Sequence, residues 1–139
     1  MLKKIVITGG DGRFAQILKK DNKKLNILYP SKKELNVLNI NSINKYLKKN
    51  KPKYLIHAAA LSRPMSIHDK EISKSIDLNI IGTANIVKVC SNLKIKLIYF
   101  STGYVYEGKI GNYKEKDPVL PVNNYAWSKL VGECAVTMY

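Results

Sequence analysis

Tyr125 and Lys129 stand four residues apart in Tyr125-Ala126-Trp127-Ser128-Lys129. On a helix that spacing places both side chains on one face. A phenol ordinarily titrates near ~10, and a neighbouring ammonium favours its anion. Bringing the phenol close to neutral pH takes roughly 4 kcal/mol of anion stabilisation, and there it suits general acid–base catalysis. In a chain with 9 tyrosines and 24 basic residues the same spacing also arises by chance. A second hydroxyl stands in Tyr99-Phe100-Ser101-Thr102-Gly103-Tyr104-Val105-Tyr106. At the carboxyl end of a parallel strand, Thr102 lies where open α/β sheets bind ligands. There it can donate to a carbonyl oxygen and steady its developing charge, or simply satisfy loop backbone.

A third motif opens the chain: Thr8-Gly9-Gly10-Asp11-Gly12-Arg13-Phe14-Ala15. Gly9 permits a tight turn off a strand. Gly12 lets backbone approach a pyrophosphate where a Cβ would collide, and Ala15 is small enough for a helix to pack on the strand. The following helix N-terminus offers free N–H groups to the anion, with Arg13 and Phe14 in its first turn. The plain alternative is an ordinary strand–helix turn. After the second strand the usual ribose-gripping acid is missing. Tyr29-Pro30-Ser31-Lys32-Lys33 stands there, with Glu34 slightly late. Ser31 and Lys32 suit a 2′-phosphate, which tilts the expectation toward NADP(H) over NAD(H); Lys32 and Lys33 can equally be solvated charges.

These residues need elements to hold them. Lys3–Thr8 reads as a buried strand and Phe14–Lys20 as a helix. Leu25–Tyr29 is a second strand stopped by Pro30, and Glu34–Leu38 is read as a very short strand. Ser42–Asn50 is a helix with Ser42 near its N-cap and Ile43, Tyr46 and Leu47 on one face, followed by Pro52. Tyr54–Ala58 is the next strand, running into Ala58-Ala59-Ala60 and a loop with Arg63 and Pro64. Lys70–Leu93 reads as one long helix, with Ile72, Ile76, Ile80, Ala84 and Val87 or Lys88 along a stripe. Lys96–Ser101 is a strand and Thr102–Val122 a polar loop. Asn123 or Asn124 caps a last helix from Tyr125 onward. The alternation predicts an α/β fold: a Rossmann-like, doubly wound parallel sheet in three α/β/α layers.

Composition narrows the function classes. At 139 residues and 45% hydrophobic content the chain suits one domain with a real core. Its apolar runs are far short of a membrane span. Two lysines precede only Ile5-Val6-Ile7 in the opening Met1–Gly10 segment, too short for a signal sequence, so a cytoplasmic location is expected. Cys90 and Cys134 lack metal-type spacing and are expected to be half-buried thiols. The net charge is +14, yet the lysines are scattered and only Arg13 and Arg63 are arginines. That pattern, with abundant Ile and Asn, fits coding bias better than a nucleic-acid surface. It also attracts anionic cofactors and nucleotide-linked substrates. No nucleic-acid and no membrane partner is expected.

The chain resembles the extended short-chain dehydrogenase/reductase family, and within it the dTDP-4-dehydrorhamnose reductase-like group. The carriers are the Thr8–Ala15 turn, Leu55-Ile56-His57-Ala58-Ala59-Ala60, Leu78-Asn79-Ile80-Ile81-Gly82-Thr83, Ser101 to Gly108, Gly111 to Glu115, Asp117-Pro118, Pro121, Tyr125 to Lys129 and Gly132-Glu133. Glu34-Leu35-Asn36-Val37 resembles a Glu-Leu-Asp-Val stretch of that group. The resemblance implies Thr102, Tyr125 and Lys129 as the catalytic triad, with Lys129 lowering the phenol and binding the nicotinamide ribose. It implies that Gly9, Gly12, Arg13, Phe14, Ser31, Lys32, Asn36, Ala58, Ala59, Ala60 and Asn79, with Tyr125 and Lys129, bind the dinucleotide. It implies NAD(P)H-dependent reduction of a nucleotide-linked 4-keto sugar. An epimerase or dehydratase, or a non-catalytic regulatory subunit, are alternatives of the same group. Residues 1–139 would be the NAD(P)-binding domain, without the C-terminal substrate domain of relatives roughly twice as long. The 70–93 and 124–139 helices would meet their mates in a homodimer. Departures are Ala15 and Gly103, His57 where Asn is frequent, and Asn36 for Asp, which retains an acceptor.

Overall fold

The computed structural model describes residues 3–139; Met1 and Leu2, the head of the opening segment, lie outside the described residues. Four short apolar runs form strands β1 (Ile5–Thr8), β2 (Ile27–Leu28), β3 (Tyr54–His57) and β4 (Lys96–Tyr99). They build one parallel sheet in the order β2-β1-β3-β4. The register sets Val6 beside Leu55 and Leu55 beside Leu97. Two residues further on, Thr8 stands beside His57 and His57 beside Tyr99. Side chains two apart share a face. One sheet face is therefore apolar in its middle and polar at its carboxyl edge.

Helices α1 (Arg13–Asp21), α2 (Ile40–Asn50), α5 (Gly82–Leu93) and α6 (Asn124–Thr137) supply the outer layers. Val6, Leu55, Ile43, Leu47, Ile86, Val89 and Cys90 form a sealed core between the sheet and α2 and α5, all at 0% exposure. α6 packs on α5 and β4. The opposite face is covered unevenly. Ala15 of α1 and Ile7 are buried, whereas Phe14, Ile17, Ile98 and Phe100 are exposed, with Phe14 edge-on to Phe100. The accessible surface is 9224 Å². A folded chain of 15.7 kDa ordinarily shows roughly 7,300 Å².

Four local expectations are corrected. Glu34–Leu38 forms turns, not a strand: Glu34 and Leu35 both bond back to the Ser31 carbonyl. The cap of α2 is Asn39, whose side chain accepts from the Ser42 N–H; Ser42 lies inside the helix. The Lys70–Leu93 stretch is helical without a break only from Ile72, as α4 (Ile72–Ser75), a widened π-helical turn (Ile76–Ile81) and α5, while Lys70 ends a separate short helix, α3 (Ile67–Lys70). Glu71, at φ −134° and ψ 58°, breaks the first junction. The isoleucine stripe accordingly fails: Ile72 and Ile76 are exposed, while Ser75, Asn79, Thr83 and Ile86 are buried. The buried face is instead set by polar pairs, Ser75 with His68 and Asn79 with Ser128. Lastly, Cys90 is fully buried, its thiol pushed up to about 12 by burial, and Cys134 is exposed; neither is half-buried.

Candidate active site

The glycine turn is tight enough to require its glycines. Gly9 has φ +71°, and a Cβ there would lie 3.0 Å from the Ala59 Cα. At Gly10 a Cβ would meet the Pro30 carbonyl oxygen at 2.5 Å, so this glycine holds the turn against the end of β2. Sequence reading gave Gly10 no role, although three glycines in four residues were the signal. Gly12 is the N-cap of α1 and supplies no side-chain cap, leaving the first N–H groups of the helix open. A cleft of about 230 Å³ runs beside this turn, with Gly9, Gly12, Lys32, Asn36, Ala59 and Ala60 among its walls. Arg13 is exposed and lines neither this cleft nor the next.

Two residues near that cleft are engaged differently from expectation. Ser31 donates its hydroxyl and its N–H to the Glu34 carboxylate, at 2.9 and 2.8 Å. Those bonds hold the Glu34 carboxyl below its ordinary value. The acid near β2 is thus consumed by a local turn, and Lys32 and Asp11 are the charged walls of the cleft. Asn36 accepts the Leu38 N–H at 3.0 Å through the oxygen expected to serve the dinucleotide as an acceptor.

A second cleft, of about 290 Å³, opens at the carboxyl ends of β3 and β4. Its walls include Phe14, Ala58, Ala60, Ser101, Tyr125 and Lys129. The two clefts share Ala60, so the glycine turn and the Tyr–Lys pair face one mouth. Asn123 caps α6 by accepting the Ala126 N–H at 2.8 Å, which fixes the first turn carrying Tyr125. The Thr102 side chain near the Tyr125 phenol acts to lower it, and burial holds it above its ordinary value against that effect. The ammonium of Lys129 lies over the Tyr99 ring, 4.1 Å from its centroid. Burial pushes it down to about 8, opposed by Glu133. The expected lowering of the phenol by Lys129 is therefore not the arrangement in this structure. Burial dominates the phenol, and the ammonium rests on another tyrosine.

Beneath this mouth lies a buried polar network. Thr83 donates to the Asn79 carbonyl at 2.7 Å, so it must accept from His57 Nε2–H, 3.1 Å away. His57 Nδ1 then accepts from Thr8 Oγ1 at 2.7 Å. Thr8 in turn accepts the N–H groups of Ala58 and Ala59 at 3.2 and 3.1 Å. The network anchors the alanine loop between the clefts. Burial and the Lys129 charge push the imidazole down to about 3, so it stays neutral. Asn79 sits behind the mouth, not in it. It donates to the Leu61 carbonyl and to Ser128 Oγ, both at 2.9 Å, and accepts the Leu61 N–H at 2.8 Å. It joins the loop to α6 and has no donor left for a dinucleotide. His68, unremarked in the sequence, is buried with its ring 4.9 Å from that of Tyr125 and its Nδ1 paired with Ser75 Oγ. Among the described residues no group of metal-ligating side chains is gathered, and no helix is long and apolar enough to cross a membrane.

Residues 3–139 match the family described as RmlD substrate binding domain. The chain belongs to that family. A dTDP-4-dehydrorhamnose reductase from Aggregatibacter actinomycetemcomitans is 29% identical over 134 residues, 94% of this chain and 45% of the relative. The methionine adenosyltransferase 2 subunit beta of Pongo abelii is 27% identical over 143 residues, 96% of this chain and 42% of the relative. Among solved structures, a dTDP-4-dehydrorhamnose reductase from Bacillus anthracis str. Ames in complex with NADP superposes with a TM-score of 0.92 at 29% identity. That match covers 99% of this chain and 50% of the other. The chain thus spans about half the length of the RmlD-family relatives it matches.

Proposed function

We propose that residues 1–139 form the dinucleotide-binding domain of an NAD(P)H-dependent reductase acting on a nucleotide-linked 4-keto sugar. The observation that carries this reading is the shared mouth: an uncapped helix N-terminus in a glycine turn and a Tyr–Lys pair meet across Ala58-Ala59-Ala60. The residues present fit a dinucleotide, because the glycine turn folds tightly against Ala59 and leaves the uncapped α1 N-terminus beside the cleft. Gly9, Gly12 and the α1 N-terminus would hold the pyrophosphate, Lys32 a 2′-phosphate, and Ala58 to Ala60 the wall beside the rings. The dinucleotide, when bound, supplies hydride. Tyr125 delivers a proton to the carbonyl oxygen of the sugar, and Thr102 holds that oxygen by a hydrogen bond. Lys129, at the same cleft, would bind the nicotinamide ribose. Asn79 and the His57 network keep the loop and α6 in place. A homodimer through the 70–93 and 124–139 helices is supported by exposed Ile72, Ile76, Trp127 and Val131.

The test is a fluorescence titration of the chain with NADPH and NADH. NADPH is expected to bind, and Lys32→Ala to weaken it about three- to tenfold while leaving NADH unchanged. With a dTDP-4-keto-sugar added, Tyr125→Phe is expected to bind NADPH normally and to lose its oxidation at 340 nm. No binding of either nucleotide, or unchanged turnover in Tyr125→Phe, rejects the assignment. The likeness to methionine adenosyltransferase 2 subunit beta supports a second reading, a non-catalytic binding subunit. Dinucleotide binding with no turnover in the unaltered protein would favour it.

A further inference from the structure

Tyr99 ends β4 with its ring turned to the α6 side of the sheet, in register beside His57. Its ring stacks on that imidazole, centroids 5.9 Å apart. Its hydroxyl donates to the Lys129 carbonyl at 3.2 Å. Its face lies under the Lys129 ammonium at 4.1 Å. One tyrosine therefore holds both ends of one lysine, backbone and charge. A third observation shows that α6 is shaped for this. A Cβ at Gly132 would stand within 2.3 Å of the Tyr99 hydroxyl oxygen and 2.8 Å of its Cζ. Any other residue at 132 would push the ring out from under the ammonium. Gly132 is mid-helix, where glycine is ordinarily disfavoured against alanine.

We propose that Tyr99 is the positioning residue for Lys129, its ring face carrying the ammonium and its hydroxyl fixing the helical carbonyl above. An aromatic face attracts a cation through its quadrupole, most strongly where water is excluded. Lys129 is buried, so the ring offsets part of the desolvation that lowers it. Tyr99 thus keeps the lysine charged and at a fixed height at the mouth. The use of that charge rests on the function proposed above; the placement does not.

The effect is measurable because the lysine titrates alone. Its titratable neighbours are Glu133 and Tyr125 on α6, His57 on β3 and Tyr99 on β4. His57, pushed down to about 3, stays neutral above pH 6, and both phenols are pushed above their ordinary value. Competitive acetylation of Lys129, read by mass spectrometry between about pH 6 and 9, therefore reports this amine. The unaltered protein is expected to titrate at about 8. Tyr99→Phe keeps the face and is expected to titrate alike. Pentafluorophenylalanine at position 99 reverses the quadrupole at nearly constant shape. It is expected to leave roughly two- to fivefold more free amine at pH 7, with Tyr99→Leu moving the same way. Equal titration in the phenylalanine and pentafluorophenylalanine proteins overturns the proposal, whether or not the leucine variant folds. NADPH titration of the same proteins separates the two claims. Absent binding in the unaltered protein rejects the dinucleotide reading and leaves the lysine result standing.

Discussion

At the scale of single residues, the site rests on an imidazole that cannot take up a proton without breaking its surroundings. His57 donates through Nε2 and accepts through Nδ1, and each partner is committed elsewhere. Its value in the unfolded chain is about 6.5 and in the folded chain about 3. Between those limits the unfolded chain binds one proton more, so stability rises with pH there. The contribution is complete above about pH 6.5 and is lost as pH falls toward 3, at about 1.4 kcal/mol per pH unit. Urea unfolding at pH 6, 5 and 4 should approach that slope, and His57→Gln should flatten it by close to that amount. Thr102, Tyr125, Lys129, Gly9 and Gly12 could be nominated from the sequence because each sits in a local motif, whereas Gly10 could not. The partners of His57 were not. Thr8 and Thr83 lie 49 and 26 residues away, and only the sheet register brings them together. The warning available was a polar residue at the end of three of the four strands: Thr8, His57 and Tyr99.

Among the elements, α6 matters most, because it carries Tyr125 and Lys129 and begins at a single side-chain cap. Asn123→Ala removes the bond to the Ala126 N–H and should cost about 1 kcal/mol in urea unfolding. The same change should loosen the first turn and so weaken the Tyr125–Thr102 contact before the rest of the helix is affected. Strands and most helices were legible from period and punctuation: β1 ends at glycines, β2 before Pro30, α2 before Pro52. The stretch from Lys70 to Leu93 was misread because its isoleucines keep a helical period on the outside. Its buried side is chosen by Asn79 and Ser75, which face Ser128 and His68. Polar partners, not apolar spacing, set that face, and no hydrophobic count detects them.

For the whole molecule, the order β2-β1-β3-β4 puts the mouth where strands β1 and β3 end side by side; alternation of strand and helix was enough to expect the parallel sheet, though not this order. What alternation does not reveal is how completely each sheet face is covered. With Ile98, Phe100, Phe14 and Ile17 open to water, the chain retains apolar surface that a fully covered sheet would bury. Unfolding it therefore newly hydrates less hydrocarbon than its length suggests. Ordinary domains of this size absorb about 1.7–2.1 kcal/mol/K more heat unfolded than folded. Scanning calorimetry should return a smaller increment for this chain, and a correspondingly flat curve of stability against temperature. A value at or above that range would mean the open face is closed in solution, by a neighbour that melts away together with the fold.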